Sequence, residues 1–102
     1  MTLKNFEGQN ALHRAAYHGE LEVIKMLIKR TRLKLGQTDR KGNNSLHLAC
    51  MGVSLKCARY IVSKVKESKR LLEEVNKEGK KPIDILEEVI EKINNGKESE
   101  KL

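Results

Sequence analysis

The chain has 102 residues, of which 34% are charged, and 21 Lys and Arg against 14 Asp and Glu give a formal net charge of +7. That length holds one domain burying about two thirds of its unfolded surface; no run of about 18 apolar residues is present to cross a membrane as a helix, and Met1–Glu7 lacks the apolar stretch of a secretory signal. Two cysteines are too few for a disulfide framework, so the expectation is a soluble chain of a reducing, intracellular compartment, the cytoplasm first and the nucleus also open.

In chain order, the first predicted element follows Gly8-Gln9-Asn10. Asn10 stands just before an apolar stretch, where its side-chain oxygen takes an orphan backbone N–H as a helix N-cap. Leu12, Ala15 and Ala16 then share one face of a short helix that Gly19 ends. Leu21, Ile24, Leu27 and Ile28 carry the spacing of a second, amphipathic helix. From Lys25 onward the chain is basic through Lys29, Arg30, Arg32, Lys34, Arg40 and Lys41, opposed only by Asp39. Thr38–Asn43 reads as a turn in which Gly42 can take positive φ.

Gly42-Asn43-Asn44-Ser45-Leu46-His47-Leu48-Ala49-Cys50 then repeats Gly8-Gln9-Asn10-Ala11-Leu12-His13-Arg14-Ala15-Ala16, with 34 residues from Gly8 to Gly42. Asn44 is the expected cap, and Leu46, Ala49 and Cys50 the packing face. Small residues at these shared positions imply that neighbouring helices approach closely. Ser54 is the expected cap of the next helix, where Leu55, Ala58, Ile61 and Val62 take the places of Leu21, Ile24, Leu27 and Ile28. Cys50 and Cys57 both fall on core-facing helical positions, as reduced thiols acting as small hydrophobes. The excursion from Lys66 to Glu74 lengthens this unit, and Leu71 and Leu72 are expected to anchor it as a short extra helical turn. Asn76–Gly79 is a further turn, and Gly79-Lys80-Lys81-Pro82-Ile83-Asp84-Ile85-Leu86 is a third, eroded copy, 37 residues on from Gly42 to Gly79. Pro82 suits a first helical residue, where its missing N–H costs nothing. Asn94-Asn95-Gly96 is expected to end that helix and to leave 97–102 as a polar tail.

A period of this length means one supersecondary unit stacked on copies of itself, which supplies an extended surface and no built-in reaction centre. Asp39-Arg40-Lys41-Gly42 followed by Asn44-Ser45-Leu46-His47-Leu48-Ala49 resembles the ankyrin repeat motif, Asp-x-x-Gly and then Thr-Pro-Leu-His-x-Ala. Asn5-Phe6-Glu7-Gly8 with Asn10-Ala11-Leu12-His13-Arg14-Ala15 resembles it in the same register. The resemblance implies an all-α solenoid of stacked helix-turn-helix units with hairpin-like connecting turns. It divides the ankyrin domain, 1–96, into repeat 1 at about 5–38, repeat 2 at 39–75 and a partial capping repeat at 76–96. Neither full copy keeps the Thr-Pro pair, and the third has Lys81 at the cap, Asp84 in place of His and no second helix. Two and a half units fall short of the about three that a solenoid usually needs. A fragment, a module joined to other domains and self-association are the alternatives this leaves.

Little points to chemistry. His13 and His47 hold one position in successive units, and the resemblance gives each the job of bridging backbone groups of adjacent turns. Successive repeats lie about 10 Å apart, too far for the two rings to share one zinc without distortion. Cys50 stands near His47 and Asp39, but at a packing position where a thiol is buried and unreactive. The glycines are isolated turn residues, so no phosphate-binding loop exists. No catalytic, cofactor or metal residue is expected, and the chain is read as a non-enzyme.

Function is expected at the variable surface. In ankyrin proteins partners commonly engage the turn tips and the outward part of the first helix. By position these are Phe6, Glu7 and Gln9; Arg40, Lys41 and Asn43; Lys77, Glu78 and Lys80; and, on the helices, Tyr17, His18 and Met51. The implied role is a protein-binding scaffold or adaptor with a partner that presents an acidic surface, since residues 1–70 carry 15 Lys and Arg against 5 Asp and Glu. Two other readings are a basic adaptor for nucleic acid or an anionic membrane, and a structural capping portion of a larger ankyrin array. Nucleic acid is the weaker of these, because Phe6, Tyr17 and Tyr60 are too few for stacking platforms, and no membrane insertion is expected.

Overall fold

The computed structural model describes residues 8–64 and 68–100, and among them there are six α-helices and no strand. Ala11–His18 (α1) and Leu21–Arg30 (α2) form the first antiparallel pair, and Ser45–Met51 (α3) and Leu55–Lys64 (α4) the second. Ser68–Glu73 (α5) and Pro82–Glu100 (α6) follow. The first helix of each unit packs on the first helix of the next, α1 on α3 and α3 on α6, while α2 lies against α4.

Local chemistry accounts for each pair. Asn10 and Asn44 cap α1 and α3 as expected: Asn10 Oδ1 accepts from the His13 N–H at 3.0 Å, and Asn44 Oδ1 from the N–H groups of Leu46 and His47 at 2.8 and 3.0 Å. Gly19, left-handed at φ 73°, turns the chain out of α1, and the Glu20 N–H closes the turn on the Ala15 carbonyl at 2.9 Å. In the second unit the residue in Gly19's register is Val53, which holds φ 53° although it is β-branched. The neighbouring Gly52 is a matter of space, because a Cβ there would collide with the Tyr17 carbonyl oxygen. Ser54 stands at the N-cap position of α4, its carbonyl accepting from the Ala58 N–H at 3.0 Å, and its hydroxyl donates to the Tyr17 carbonyl at 3.1 Å.

The core is one cluster running along the stack. Leu12, Ala15 and Ala16 of α1 meet Leu46, Leu48 and Ala49 of α3, with Ile24, Cys57, Ile61, Leu33, Leu35 and Leu71 behind them. Each fully buried Leu or Ile contributes about 1.5–3 kcal/mol, and the alanines let the helix backbones close up. The apolar stripes of α2 and α4 are only partly used. Ile24 and Ile61 are buried, whereas Ile28, Val62 and Leu55 are 36, 38 and 55% exposed.

Two expectations about the C-terminal third need correction. The excursion does form a helix, α5, and Leu71 anchors it with 1% exposure, but Leu72 points outward at 40%. The tie is polar as well: Asn44 Nδ2 donates to the Leu71 carbonyl at 3.3 Å and to Glu74 Oε1 at 2.7 Å. Helix α6 does not end at Asn94-Asn95-Gly96; it continues to Glu100. Those residues cost up to about 1 kcal/mol each relative to alanine, too little to stop a helix already propagating. At its start Asp84 takes over part of the histidine's work, its Oδ2 accepting from the Lys81 N–H at 2.9 Å. Helix α6 is the last helix, and no second helix covers this end of the stack among the described residues. An apolar hollow of about 400 Å³ lies open there between Val62, Leu72, Ile83 and Leu86.

Candidate partner-binding surface

The turns are held by repeated hydrogen bonds. Gly42 and Gly79 sit at φ 79° and 75°, each behind an Asx residue that folds the tip onto its own side chain. Asp39 Oδ1 accepts from the N–H groups of Lys41 and Asn43, both at 2.9 Å, and Asn76 Oδ1 accepts from those of Glu78 and Lys80 at 2.9 and 3.0 Å. Successive tips are then joined sideways: Asn76 Nδ2 donates to Asn43 Oδ1 at 2.9 Å, and the Lys77 N–H to the Lys41 carbonyl at 2.9 Å. Asn43, expected to face a partner, is instead 2% exposed and serves as the rung between tips.

The two histidines lock tip to helix. His13 Nδ1 accepts from the Asn10 N–H at 3.0 Å, which leaves Nε2 as the protonated nitrogen. That Nε2–H donates to the Gln37 carbonyl at 2.7 Å. His47 repeats the pattern with the Asn44 N–H at 3.0 Å and the Lys80 carbonyl at 3.1 Å. Burial lowers the His47 pKa, partly offset by its bond to the Lys80 carbonyl. The His47 ring therefore works as a neutral bracket, and His13 makes the same pair of contacts. Burial likewise pushes the Cys50 thiol up to about 11 and raises Cys57, so neither is a ready nucleophile. Among the described residues no three His, Cys, Asp or Glu side chains gather to hold a metal, and no helix is long and apolar enough to cross a membrane.

This frame presents a concave groove of two adjoining hollows, about 310 and 210 Å³. Gln9, Tyr17 and His18 line the first; Glu78 and Lys80 line the second; Lys41, Asn43 and Met51 form the wall they share. The Tyr17 and His18 rings meet edge to face with centroids 5.2 Å apart, and Tyr17 is 44% exposed. Arg40 and Lys77 are exposed on the tips, outside both hollows. Phe6 and Glu7 lie outside the described residues. Arg14, Leu48 and Ile85 also line the groove without having been anticipated. All three occupy the x of Leu-His-x-Ala, or its equivalent in the third copy, so the variable letter of the motif was the available signal.

Charges of both signs line the groove. In the first hollow Arg14 and Lys41 face Asp39, whose carboxylate is already taken up by Lys41 N–H, Asn43 N–H and Asn43 Nδ2. In the second, Lys80 is paired with Glu88 at 3.0 Å and Glu78 at 3.1 Å, which raise its pKa. By its lining residues each hollow carries a formal excess of one positive charge, Arg14 and Lys41 against Asp39 in the first and Lys41, Lys80 and Lys92 against Glu78 and Glu88 in the second.

Stacked helical pairs, hairpin tips locked by Asx residues and bracketing histidines define a repeat solenoid with a groove along its inner face. The chain belongs to the ankyrin repeat family: the family model described as ankyrin repeats (3 copies) matches residues 1–71. It is similar to the Notch-regulated ankyrin repeat-containing protein A of Danio rerio, 36% identical over 62 residues that cover 61% of this chain and 54% of that protein. The B protein of Danio rerio is 36% identical over 69 residues, 65% of this chain and 59% of the relative, and the Homo sapiens protein 35% over 60 residues, 59 and 52%. The chain spans a little over half the length of these relatives.

Proposed function

We propose that the protein is a non-enzymatic binding module that holds a protein partner in the concave groove, with Tyr17 and Met51 as apolar anchors and Arg14 and Lys41 selecting an acidic side chain. Ankyrin repeats generally mediate protein–protein interaction, and the family is typically non-enzymatic. The observation that carries the finer reading is the first hollow, where an exposed aromatic ring and two cations surround a carboxylate spent on its own turn. Anchors of this kind carry most of the energy of an interface, and complementary charge sets approach and register. The buried free thiols of Cys50 and Cys57 suit a cytoplasmic or nuclear setting.

The test is quantitative capture from cell lysate by the parent chain and by a Tyr17→Ala/Lys41→Glu variant, with melting temperatures measured on both. The reading expects captured proteins to fall about tenfold or more while the melting temperature moves by less than about 3 °C, as for surface changes. Unchanged capture by a folded variant, or loss of capture only alongside loss of folding, defeats it.

The open apolar end between α4 and α6 favours a second reading, self-association through that face. Sedimentation velocity from low to high micromolar concentration, with an Ile83→Lys variant as control, decides it. A concentration-dependent dimer abolished by the substitution supports it, and a monomer throughout ends it.

A further inference from the structure

Helix α6 differs from the other first helices of the stack: α1 has α2 and α3 has α4, but α6 has no antiparallel companion among the described residues. At about 100° per residue its faces follow from the sequence. Pro82, Ile85 and Val89 form the side turned to the stack, the first two buried and the third half-buried. Next to them runs a stripe of Ile83, Leu86, Ile90 and Ile93, and beyond the stripe lie the exposed Glu87 and Glu91. The stripe is open, with Ile83, Ile90 and Ile93 at 50, 44 and 46% exposure. Ile83 and Leu86 wall the apolar hollow of about 400 Å³, which Arg59 and Val62 of α4 and Leu72 of α5 close on the stack side. Arg59 is the only charged residue lining that hollow, and neither it nor Glu87 nor Glu91 makes an ion pair among the described residues.

We infer that two copies of this chain pair through α6, side by side and parallel about a two-fold axis, a pairing that rests on the self-association reading above and gives it one arrangement. The stripe has the spacing of a coiled-coil seam, with Ile83 and Ile90 at a and Leu86 and Ile93 at d, and Ile at a with Leu at d favours two parallel strands. Each layer then sets a residue on its own counterpart, Ile83 on the partner's Ile83 and Ile90 on the partner's Ile90. A parallel two-fold also turns the glutamate flank of each α6 toward the α4 side of the other. There the partner's Glu87, one residue on from the Leu86 layer, meets Arg59 in the hollow wall, and the symmetry makes this pair twice. An antiparallel pair would set glutamate flank against glutamate flank and leave Arg59 without a carboxylate. The seam is only about 15 Å long, but α3 and α5 already hold α6 as a helix, so pairing does not have to order it.

Two measurements on the full chain test the pairing. Sedimentation velocity gives the dimer constants of the parent, Arg59→Glu, Glu87→Arg and the double change. The expected result is a parent dimer, about fivefold or more weaker association in each single variant, and recovery to within about twofold of the parent in the double change. Disulfide trapping in glutathione buffer then reads direction, with Ile83→Cys and a tagged Ile93→Cys chain oxidised alone and mixed, and the parent as the blank. Each cysteine variant should crosslink to its own copy, and the mixture should give no product joining the tagged chain to the untagged one. A parent that stays monomeric at high micromolar concentration overturns this pairing together with the self-association behind it. A dimer that crosslinks Ile83→Cys to Ile93→Cys, or that the double change does not restore, overturns the parallel pairing alone.

Discussion

Replacing His47 by Phe keeps a ring in a buried site and removes both of its hydrogen bonds. The Asn44 N–H then loses its acceptor at 3.0 Å, and the Lys80 carbonyl loses one of two donors, the ring at 3.1 Å, keeping the Asn76 N–H at 2.9 Å. An unsatisfied Asn44 N–H costs about 1–3 kcal/mol and the lost bond to Lys80 about 0.5–1.5, so the expected loss is about 3 kcal/mol, a fall in melting temperature of roughly 12–24 °C for a domain of this size. The pH dependence supplies a second reading from the same residue. Burial lowers the folded-state pKa of His47 below its ordinary value of about 6.5. In the interval between the two values the unfolded chain binds the extra proton, so stability rises with pH there. The contribution is complete above about pH 6.5 and is lost as pH falls through that value toward the folded pKa, because a proton on Nδ1 would face the Asn44 N–H. Urea unfolding of parent and His47→Phe at pH 7.5 and 5.5 should therefore show a gap that narrows on acidification. A variant within about 0.5 kcal/mol of the parent at pH 7.5, or a gap that widens toward acid, would refute the bracket role.

Other substitutions test the packing. Gly52→Ala forces a Cβ onto the Tyr17 carbonyl oxygen, and because the obstacle is backbone, thermal unfolding should show a loss of about 2 kcal/mol or more, within the range of core overpacking. Val53→Gly relieves a β-branched residue at φ 53°; the strain of about 1–2 kcal/mol outweighs a glycine entropy cost of about 0.5–1, so the melting temperature should rise slightly. Ser45 Oγ is buried with no hydrogen-bond partner among the described residues, so Ser45→Ala should stabilise by about 1 kcal/mol in urea titrations. Cys50, with its pKa near 11, should react with a thiol reagent at pH 8 about a hundredfold more slowly in the folded chain than in urea.

What repeated could be read in advance, and what occurred once could not. Asn10 and Asn44, His13 and His47, and Gly42 and Gly79 do the same work in successive units, so their spacing carries their roles. Asn43 looked like a free tip residue because its register position is Gln9 and Lys80 in the neighbouring units; its place inside follows from one sideways contact, to Asn76. Leu71 and Leu72 are alike in sequence, and only the direction in which α5 leaves the stack decides which of them is buried. The extension of α6 past Gly96 is a balance of small propensities that no local motif announces. Arg14 entered the groove unannounced because a motif draws attention to its fixed letters, whereas a binding surface is built from the letters left free.

Site-specific photo-crosslinking in cells, with a benzophenone amino acid placed at Tyr17, Met51 or Glu22, puts the groove itself to the question. Crosslinked partner should accumulate from Tyr17 and Met51, which line the concave hollow, and stay at background from Glu22, exposed on α2. Equal yields at all three positions, or yield from Glu22 alone, would contradict a partner held on the inner face of the stack.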